Sequence, residues 1–110
     1  MKPTKNVFET LHSTITAYRL ENGDHHREDG PAYIHEHANG DRYEAWAYND
    51  ETHRYGGPAI TFEDGTHHYW IKGQGVNEAV ENWLSERDYV WETMNEQEKW
   101  ELELFMRSLG

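Results

Sequence analysis

Apolar and polar residues alternate along several short stretches of the first two thirds of the chain. In residues 41–48 the alternation places Trp46 and Tyr48 on one face with charged side chains, and a tyrosine and two alanines on the other. The stretches are separated by the turn-forming pairs Asn22-Gly23, Asn39-Gly40, Asn49-Asp50, Asp64-Gly65 and Lys72-Gly73. This pattern predicts a meander of about six short antiparallel strands over residues 14–75, after a frayed lead-in at residues 1–6. Asn22-Gly23 predicts a type I′ hairpin turn.

Two segments, residues 24–32 and 51–59, repeat the phrases His-Arg and Gly-Pro-Ala at the same spacing. Each segment follows an Asn-led turn, Asn22-Gly23 or Asn49-Asp50, and each leads into a β-prone stretch. Self-similarity at this scale is typical of one supersecondary unit stacked on copies of itself. The repeat therefore indicates an array of hairpins.

After Gly75 the apolar spacing becomes that of amphipathic helices. Asn77 is the expected N-cap of a first helix. The apolar face of this helix comprises Val76, Ala79, Val80, Trp83, Leu84, Val90 and Trp91. We expect this face to lie on the sheet.

A second helix is expected to begin at a capping box, Thr93-Met94-Asn95-Glu96. One stripe of this helix carries Leu102, Phe105, Met106 and Leu109, whereas Trp100 and Leu104 project from roughly the opposite side. A helix that is apolar on two sides has more to bury than one sheet covers. It is either enclosed by the fold or used to bind another chain, which includes a homodimer through residues 94–109.

The chain has 110 residues, a formal net charge of −11 and no cysteine. This acidity argues against direct nucleic-acid binding, which needs clustered Lys and Arg, and favours a basic partner or high solubility. Residues 76–110 are the more densely acidic part, with nine acidic and three basic residues. No apolar run approaches transmembrane length, and the N-terminal residues lack the apolar core of a signal peptide. We expect a single cytoplasmic domain over residues 1–110 that does not contact membranes.

Candidate chemistry is sparse. All eight histidines precede Trp70, and three of them could in principle hold a transition metal. However, adjacent histidines on a strand point to opposite faces, and neither a H-E-x-x-H motif nor a cysteine ligand is present. The carboxylate pairs lie at turns, where acidic residues are normally solvated, and no nucleophile elbow or phosphate-binding loop occurs. We therefore expect no metal, no cofactor and no enzymatic activity.

The two His-Arg pairs allow two interpretations. Arg27 and Arg54 are either a clamp for phosphate or carboxylate, or structural residues that pair with acidic groups of the neighbouring turn, and the second interpretation is favoured. The aromatic side chains are either core or contact surface. Taken together, the candidate binding residues are Arg27, Arg54, Trp46, Tyr48, Trp70, Trp100, Leu104, Phe105 and Leu109.

Residues 18–75 resemble the MORN-like repeats, in particular the variant found in small bacteriophage and bacterial proteins. The matching positions are His26, Arg27, Asp29, Gly30, Pro31, Ala32, His53, Arg54, Gly57, Pro58 and Ala59, together with the turn glycines Gly23, Gly40, Gly65 and Gly73 and the aromatics Trp46, Tyr48, Tyr69 and Trp70. The resemblance implies stacked β-hairpins that serve as an interaction surface without a catalytic site. The sequence departs from the pattern at Asn49-Asp50, where Asn-Gly is usual, and at Tyr55-Gly56, where Glu-Asp is usual. These departures are expected to weaken the turn chemistry of the second copy.

The predicted fold class is thus α+β: an antiparallel β-meander of MORN-like hairpin repeats (14–75) followed by two C-terminal α-helices in an acidic segment (76–110). The expected function is that of a non-enzymatic, acidic binding protein, encoded by a phage, that inhibits or modulates a host defence or nucleic-acid-handling protein. One version of this function is nucleic-acid mimicry by the helical carboxylates. The alternatives are an oligomeric protein that binds or sequesters a nucleotide-like small ligand, and a structural assembly module.

Overall fold

The computed structural model describes residues 2–110 and has the predicted α+β architecture. A six-stranded antiparallel sheet and two short ribbons precede two C-terminal helices. The strands are β1 (Thr4–Glu9), β2 (Ser13–Arg19), β3 (Tyr33–His37), β4 (Arg42–Ala45), β5 (Ala47–Tyr48), β6 (Glu51–Thr52), β7 (Ile60–Thr61), β8 (His67–His68), β9 (Trp70–Ile71) and β10 (Gln74–Gly75). The helices are α1 (Asn77–Glu86) and α2 (Glu96–Leu109), with a short 3₁₀ turn at Trp91–Thr93 between them.

The sheet follows the chain as a meander, in the order β1-β2-β3-β4-β7-β8. The ribbon β5–β6 interrupts it between β4 and β7, so the strand predicted over residues 41–48 is split at Trp46. The lead-in predicted for residues 1–6 is wrong from Thr4 onward, because β1 pairs with β2 from Thr4↔Arg19 to Glu9↔Thr14. The sheet therefore begins about ten residues earlier than the repeat pattern indicated.

Three hairpin loops share one geometry that differs from the predicted type I′ turn. The Gly23 N–H donates to the Leu20 carbonyl at 2.9 Å, and the Leu20 N–H donates to the Asp24 carbonyl at 2.9 Å. Gly23, with φ +91°, is thus the third residue of a three-residue loop, and Gly40 and Gly65 repeat the arrangement. In each loop the preceding Asn or Asp side chain accepts the N–H two residues further on, at about 3 Å.

Two tighter loops are true two-residue turns with positive φ at both central positions. They are Asn49-Asp50, with φ 48° and 67°, and Lys72-Gly73, with φ 49° and 79°. The Asn49-Asp50 turn forms, with Tyr48 paired to Glu51, because Asn and Asp enter the left-handed region more readily than other residues with a side chain. The expected weakening relative to Asn-Gly stays a prediction. The repeat unit consequently alternates a three-residue loop with a two-residue loop.

The main hydrophobic core lies at the C-terminal end of the molecule. It comprises the buried residues Tyr69, Ile71, Val80, Trp83, Leu84, Met94, Leu102 and Met106. None of these belongs to the six-stranded sheet, so the expectation that the first helix lies on that sheet is wrong. The helices instead cover the end of the second repeat at β9. The sheet is left as an extended layer, and the radius of gyration of 14.7 Å exceeds the roughly 13 Å typical of this length.

The first helix ends before the predicted apolar face does. Asp88 adopts φ 55°, and the N–H groups of Asp88 and Tyr89 donate back to the Ser85 and Leu84 carbonyls. This is a Schellman motif, which stops α1 at Glu86. Val90 is consequently 56% exposed. The placement of Val90 and Trp91 on the face of the first helix was therefore wrong.

Both predicted helix starts are shifted. Asn77 is the first helical residue rather than the N-cap, and its side-chain oxygen accepts the backbone N–H of Tyr69 instead. The capping box of α2 lies two residues later than predicted: the Asn95 side chain accepts the Glu98 N–H, and the Glu98 carboxylate accepts the Asn95 N–H. A helix start therefore exists where expected, with Asn95 rather than Thr93 as its cap.

Candidate functional site

The histidine of each His-Arg pair closes the two-residue turn that follows it. His26 Nδ1 accepts the Asn49 N–H at 3.0 Å, and His53 Nδ1 accepts the Lys72 N–H at 2.9 Å. A ring nitrogen that accepts a backbone N–H is unprotonated, which places the ring proton of neutral histidine on Nε2. Burial lowers the pKa of His53, and the Lys72 charge lowers it further, which favours this neutral form.

Arg27 of the first repeat is held by stacking and hydrogen bonding. Its guanidinium lies 4.2 Å from the Tyr18 ring centroid and donates to the Pro31 carbonyl at 3.2 Å. It also pairs with Asp29, with 3.2 Å between Nε and Oδ1. The predicted pairing of this arginine with an acidic residue of its turn is therefore confirmed.

Arg54 of the second repeat makes the same kinds of contact as Arg27 except for the ion pair with a carboxylate. We call this stacking of an arginine on an aromatic ring, with its hydrogen bond to the proline carbonyl, the arginine clasp. The Arg54 guanidinium lies 3.9 Å from Trp46 and 5.4 Å from Trp91 and donates to the Pro58 carbonyl at 3.1 Å. Within residues 2–110 no carboxylate forms an ion pair with Arg54, so the predicted acidic partner is wrong here. Burial lowers the pKa of Arg54 to about 10, although Glu44 acts in the opposite direction. The guanidinium remains charged at neutral pH.

The Gly-Pro-Ala phrase is explained by the space that each arginine needs. A Cβ added to Gly30 or Gly57 would lie 2.6 Å from the Cζ atom of the arginine three residues before it. Neither glycine has positive φ, so lack of a side chain rather than backbone freedom is what the position requires. Ala32 and Ala59 are fully buried. The repeated Arg, Gly, Pro and Ala residues therefore have a structural role inside each hairpin unit.

A cleft of about 350 Å³ opens between the two repeats and α2. The repeats contribute Arg27, Glu28, His53, Arg54 and Tyr55, the β4–β5 segment contributes Trp46 and Tyr48, and α2 contributes Glu103 and Arg107. The cleft thus brings together four of the predicted binding residues, which are Arg27, Trp46, Tyr48 and Arg54. It is the candidate small-molecule site, and we call it the arginine cleft.

Helix α2 docks where the second repeat departs from the MORN-like pattern. The Gly56 N–H donates to Met106 Sδ at 3.3 Å, and a Cβ on Gly56 would lie 3.0 Å from the Glu103 Cβ. The Tyr55 ring lies 4.5 Å from the Arg107 Cζ. The corresponding residues of the first repeat, Glu28 and Asp29, are exposed. The Tyr-Gly substitution is therefore the docking point of the helix.

The charges of the arginine cleft are unevenly paired. Arg107 donates from Nε to Glu103 at 3.0 Å, and its side chain is about half exposed. Arg27 is paired with Asp29, whereas Arg54 has no carboxylate partner among residues 2–110. Three guanidinium groups and two carboxylates line the walls, in a chain with twice as many acidic as basic residues. With Asp29 included, three guanidinium groups meet three carboxylates, and Arg54 is the arginine that has no ion-pair partner within residues 2–110.

The outer face of α2, formed by Glu96, Gln97, Trp100 and Leu104, is a second candidate surface. Trp100 and Leu104 lie one helical turn apart and are each 51% exposed. Their predicted position opposite the buried stripe is confirmed.

The other predicted binding residues lie elsewhere. Phe105 stacks on Trp83, with ring centroids 5.4 Å apart, and belongs to the interior, so its assignment as a binding residue is not supported. Leu109 is 40% exposed at the end of α2. Trp70 lies on β9, where its carbonyl accepts the Arg54 N–H, and it does not line the arginine cleft.

Within residues 2–110 no cluster of three histidine or carboxylate side chains has the arrangement of a metal site. Paired histidines are used separately: His67 contacts Glu92 at 2.6 Å, whereas His68 packs against Phe62. No helix in this part of the chain has the length and apolar character required to cross a membrane.

No family model matches the chain, and neither the curated proteins nor the solved structures contain a match. Five residues that line the cleft were not among the predicted binding residues: Glu28, His53, Tyr55, Glu103 and Arg107. The available signals were the departure at Tyr55 from the repeat pattern and the i, i+4 spacing of Glu103 and Arg107.

Proposed function

We propose that the protein is a non-enzymatic binding protein that engages a basic partner protein through the outer face of α2. The observation that carries this proposal is the exposure of Trp100 and Leu104 together on one helical turn. An exposed indole beside an exposed leucine is costly to hydrate and fits a partner that receives one face of a helix in a groove. Tryptophan is also enriched among residues that dominate binding energy.

The charge of the surrounding segment supports a basic partner. Residues 76–110 carry nine acidic and three basic residues, within a chain of net charge −11. Several of these carboxylates are held in place by hydrogen bonds, such as Glu98 at the cap of α2 and Glu92 at His67. Carboxylates on the same segment as the apolar pair favour complementary charge and accelerate encounter with a cationic surface.

The resemblance of residues 18–75 to the MORN-like repeats of small bacteriophage and bacterial proteins supports a proposal about where the protein acts. We propose a phage-encoded inhibitor or modulator that acts in the host cytoplasm on a defence or nucleic-acid-handling protein. Nucleic-acid mimicry is the narrower version, in which the helical carboxylates occupy a phosphate-binding groove of that protein. Mimicry predicts affinity that falls steeply with ionic strength, because the contacts are between exposed charges.

The proposal is tested by capture of a partner from lysate of the cells in which the protein acts. Three tagged baits are compared at low and high salt: the wild type, the double variant Trp100→Ala/Leu104→Ala, and Phe8→Ala. Phe8 is the matched control, because it is a large side chain with 56% exposure on β1, outside α2. We expect one stoichiometric basic protein with the wild type and Phe8→Ala, its loss with the double variant, and weaker retention at high salt. Equal retention by all three baits rules out this face as the binding surface.

A homodimer through residues 94–109 is the competing use of the same face. Two copies would bring two acidic helices together, and like charges across an interface are unfavourable. Solution mass measured over a range of concentrations separates the two uses. A monomer of 13.1 kDa supports a different partner, whereas a dimer abolished by Trp100→Ala/Leu104→Ala supports an assembly role.

A further inference from the structure

We infer that the arginine cleft binds a small phosphate monoester that carries a planar ring, the chemistry of a mononucleotide. The cleft lies at the junction of the two repeats with α2, and each of the three parts supplies one arginine: Arg27, Arg54 and Arg107. Glu103 and Arg107 each lie one helical turn from Trp100 or Leu104, so the cleft adjoins the outer face of α2. The cleft lining includes neither Trp100 nor Leu104, so the inference does not depend on the proposed partner protein.

The guanidinium groups supply the anion contacts. Arg54 uses one N–H on the Pro58 carbonyl and has no acidic partner within residues 2–110, so most of its donors are free. Arg107 uses Nε on Glu103, which leaves its terminal N–H groups free. Planar guanidinium groups match the oxygens of phosphate through paired hydrogen bonds. The partly desolvated position of Arg54 strengthens such contacts, since charges interact more strongly away from water.

The walls of the cleft suit a planar group beside the anion. Tyr48 is 43% exposed, and its ring packs against the buried His26 ring, with 4.4 Å between centroids and an angle of 56° between the ring planes. A supported and exposed aromatic ring offers a stacking surface that needs little reorganisation. The volume of about 350 Å³ lies at the lower end of the range for small-molecule sites, roughly 300–1,000 Å³, and is more than an inorganic phosphate fills.

The acidic residues of the cleft limit the charge of the ligand. Glu28 and Glu103 lie among the arginines and would repel a highly charged polyphosphate. They can instead accept hydrogen bonds from hydroxyl or amine groups of the ligand. The combination of arginines, an aromatic wall and two carboxylates therefore favours a ligand with one phosphate group, one planar ring and uncharged hydrogen-bond donors such as hydroxyl groups between them.

The inference is tested by titration calorimetry of the full chain with adenosine 5′-monophosphate, adenosine and inorganic phosphate as probes. We expect the nucleotide to bind more tightly than either fragment. Arg107→Gln should weaken nucleotide binding by about tenfold or more, because one charged hydrogen-bonding partner is lost. Arg107 is the best position for this test, since its side chain is about half exposed and is not part of the repeated clasp.

Arg87→Gln is the matched control. Like Arg107, Arg87 is an exposed arginine near a helix C-terminus that is stacked on an aromatic ring, at 4.2 Å from Trp83, but it lies outside the cleft at the C-cap of α1. Its substitution should leave nucleotide affinity unchanged, and thermal unfolding without ligand verifies that both variants fold. Lack of nucleotide binding to the wild type, or equal affinities of Arg107→Gln and Arg87→Gln, overturns the inference. If adenosine binds as tightly as the nucleotide, the proposed contact with the phosphate is wrong. If inorganic phosphate binds as tightly as the nucleotide, the proposed contact with the ring is wrong.

Discussion

The contacts of the two arginine clasps lead us to expect that a methyl group added at Gly57 lowers the free energy of unfolding more than one added at Gly30. In Gly57→Ala the new Cβ would meet the Arg54 Cζ at 2.6 Å and the Trp91 ring at 2.8 Å. Arg54 is held between two indole rings and cannot move aside without leaving Trp46. Overpacking costs about 1–3 kcal/mol, and a lost cation–π contact adds roughly 0.5–2 kcal/mol. We expect Gly57→Ala to lower the free energy of unfolding by about 2–4 kcal/mol.

Gly30→Ala is the internal comparison, because its new Cβ meets only the arginine of the first clasp. The side chain of Arg27 is about a quarter exposed and can swing toward solvent, at the cost of its contact with Tyr18, roughly 0.5–1 kcal/mol at an exposed site. In both variants the reduced freedom of the unfolded chain returns about 0.4–1 kcal/mol, which offsets most of the cost at Gly30 but only part of it at Gly57. The expected cost is therefore about 1 kcal/mol or less. Urea unfolding followed by circular dichroism measures both variants, and equal costs, or a larger cost at Gly30, would refute the reasoning.

Three further predictions concern a turn and two helix ends. His53 has a lowered pKa in the folded chain, so the unfolded chain binds more protons below the ordinary value of 6.5. The free energy of unfolding should fall as the pH is lowered through about 6.5, and His53→Gln should flatten this slope; an unchanged slope in the variant contradicts the prediction. Asn95→Ala should cost about 0.5–2 kcal/mol by removing the cap of α2, whereas Thr93→Ala should cost less than about 0.5 kcal/mol by urea unfolding. Asp88→Gly should raise the melting temperature, since φ 55° strains a residue with a Cβ by about 1 kcal/mol; a lowered melting temperature contradicts this.

The strands of the sheet other than β1 were predictable because alternation and turn residues are local signals. The loop geometry was not, because an Asn-Gly pair fits either the centre of a two-residue turn or the end of a three-residue loop. The pairing of the flanking strands determines the loop length. At Gly23 the pairing extends to Leu20 and Asp24, which leaves three residues in the loop. At Asn49-Asp50 the pairing of Tyr48 with Glu51 leaves two.

The helical boundaries failed for a related reason. Apolar spacing continues through Val90 and Trp91, but the chain leaves the helix at Asp88, an ordinary residue in a left-handed conformation. The Tyr89 ring packs on Trp83 at 5.8 Å, and this tertiary contact accompanies the stop. Periodicity alone could not report a stop that depends on packing.

The arginine cleft was only half visible in the sequence. Arg27 and Arg54 were identifiable because they repeat, and Trp46 and Tyr48 because they alternate with charged residues. Arg107 depends on how α2 docks at Tyr55-Gly56, which no local pattern specifies. Tyr55-Gly56, where the sequence departs from the repeat pattern, is where helix α2 contacts the hairpins.

The central claim, that the outer face of α2 binds a partner protein, is tested most directly by titration calorimetry of the captured partner. The wild type, Trp100→Ala and Phe8→Ala are compared in the same buffer. We expect Trp100→Ala to lose about 2 kcal/mol of binding free energy, roughly thirtyfold in affinity, because a central tryptophan dominates such interfaces. Phe8→Ala should change the binding free energy by less than about 0.5 kcal/mol. Equal affinities of Trp100→Ala and Phe8→Ala would contradict the claim.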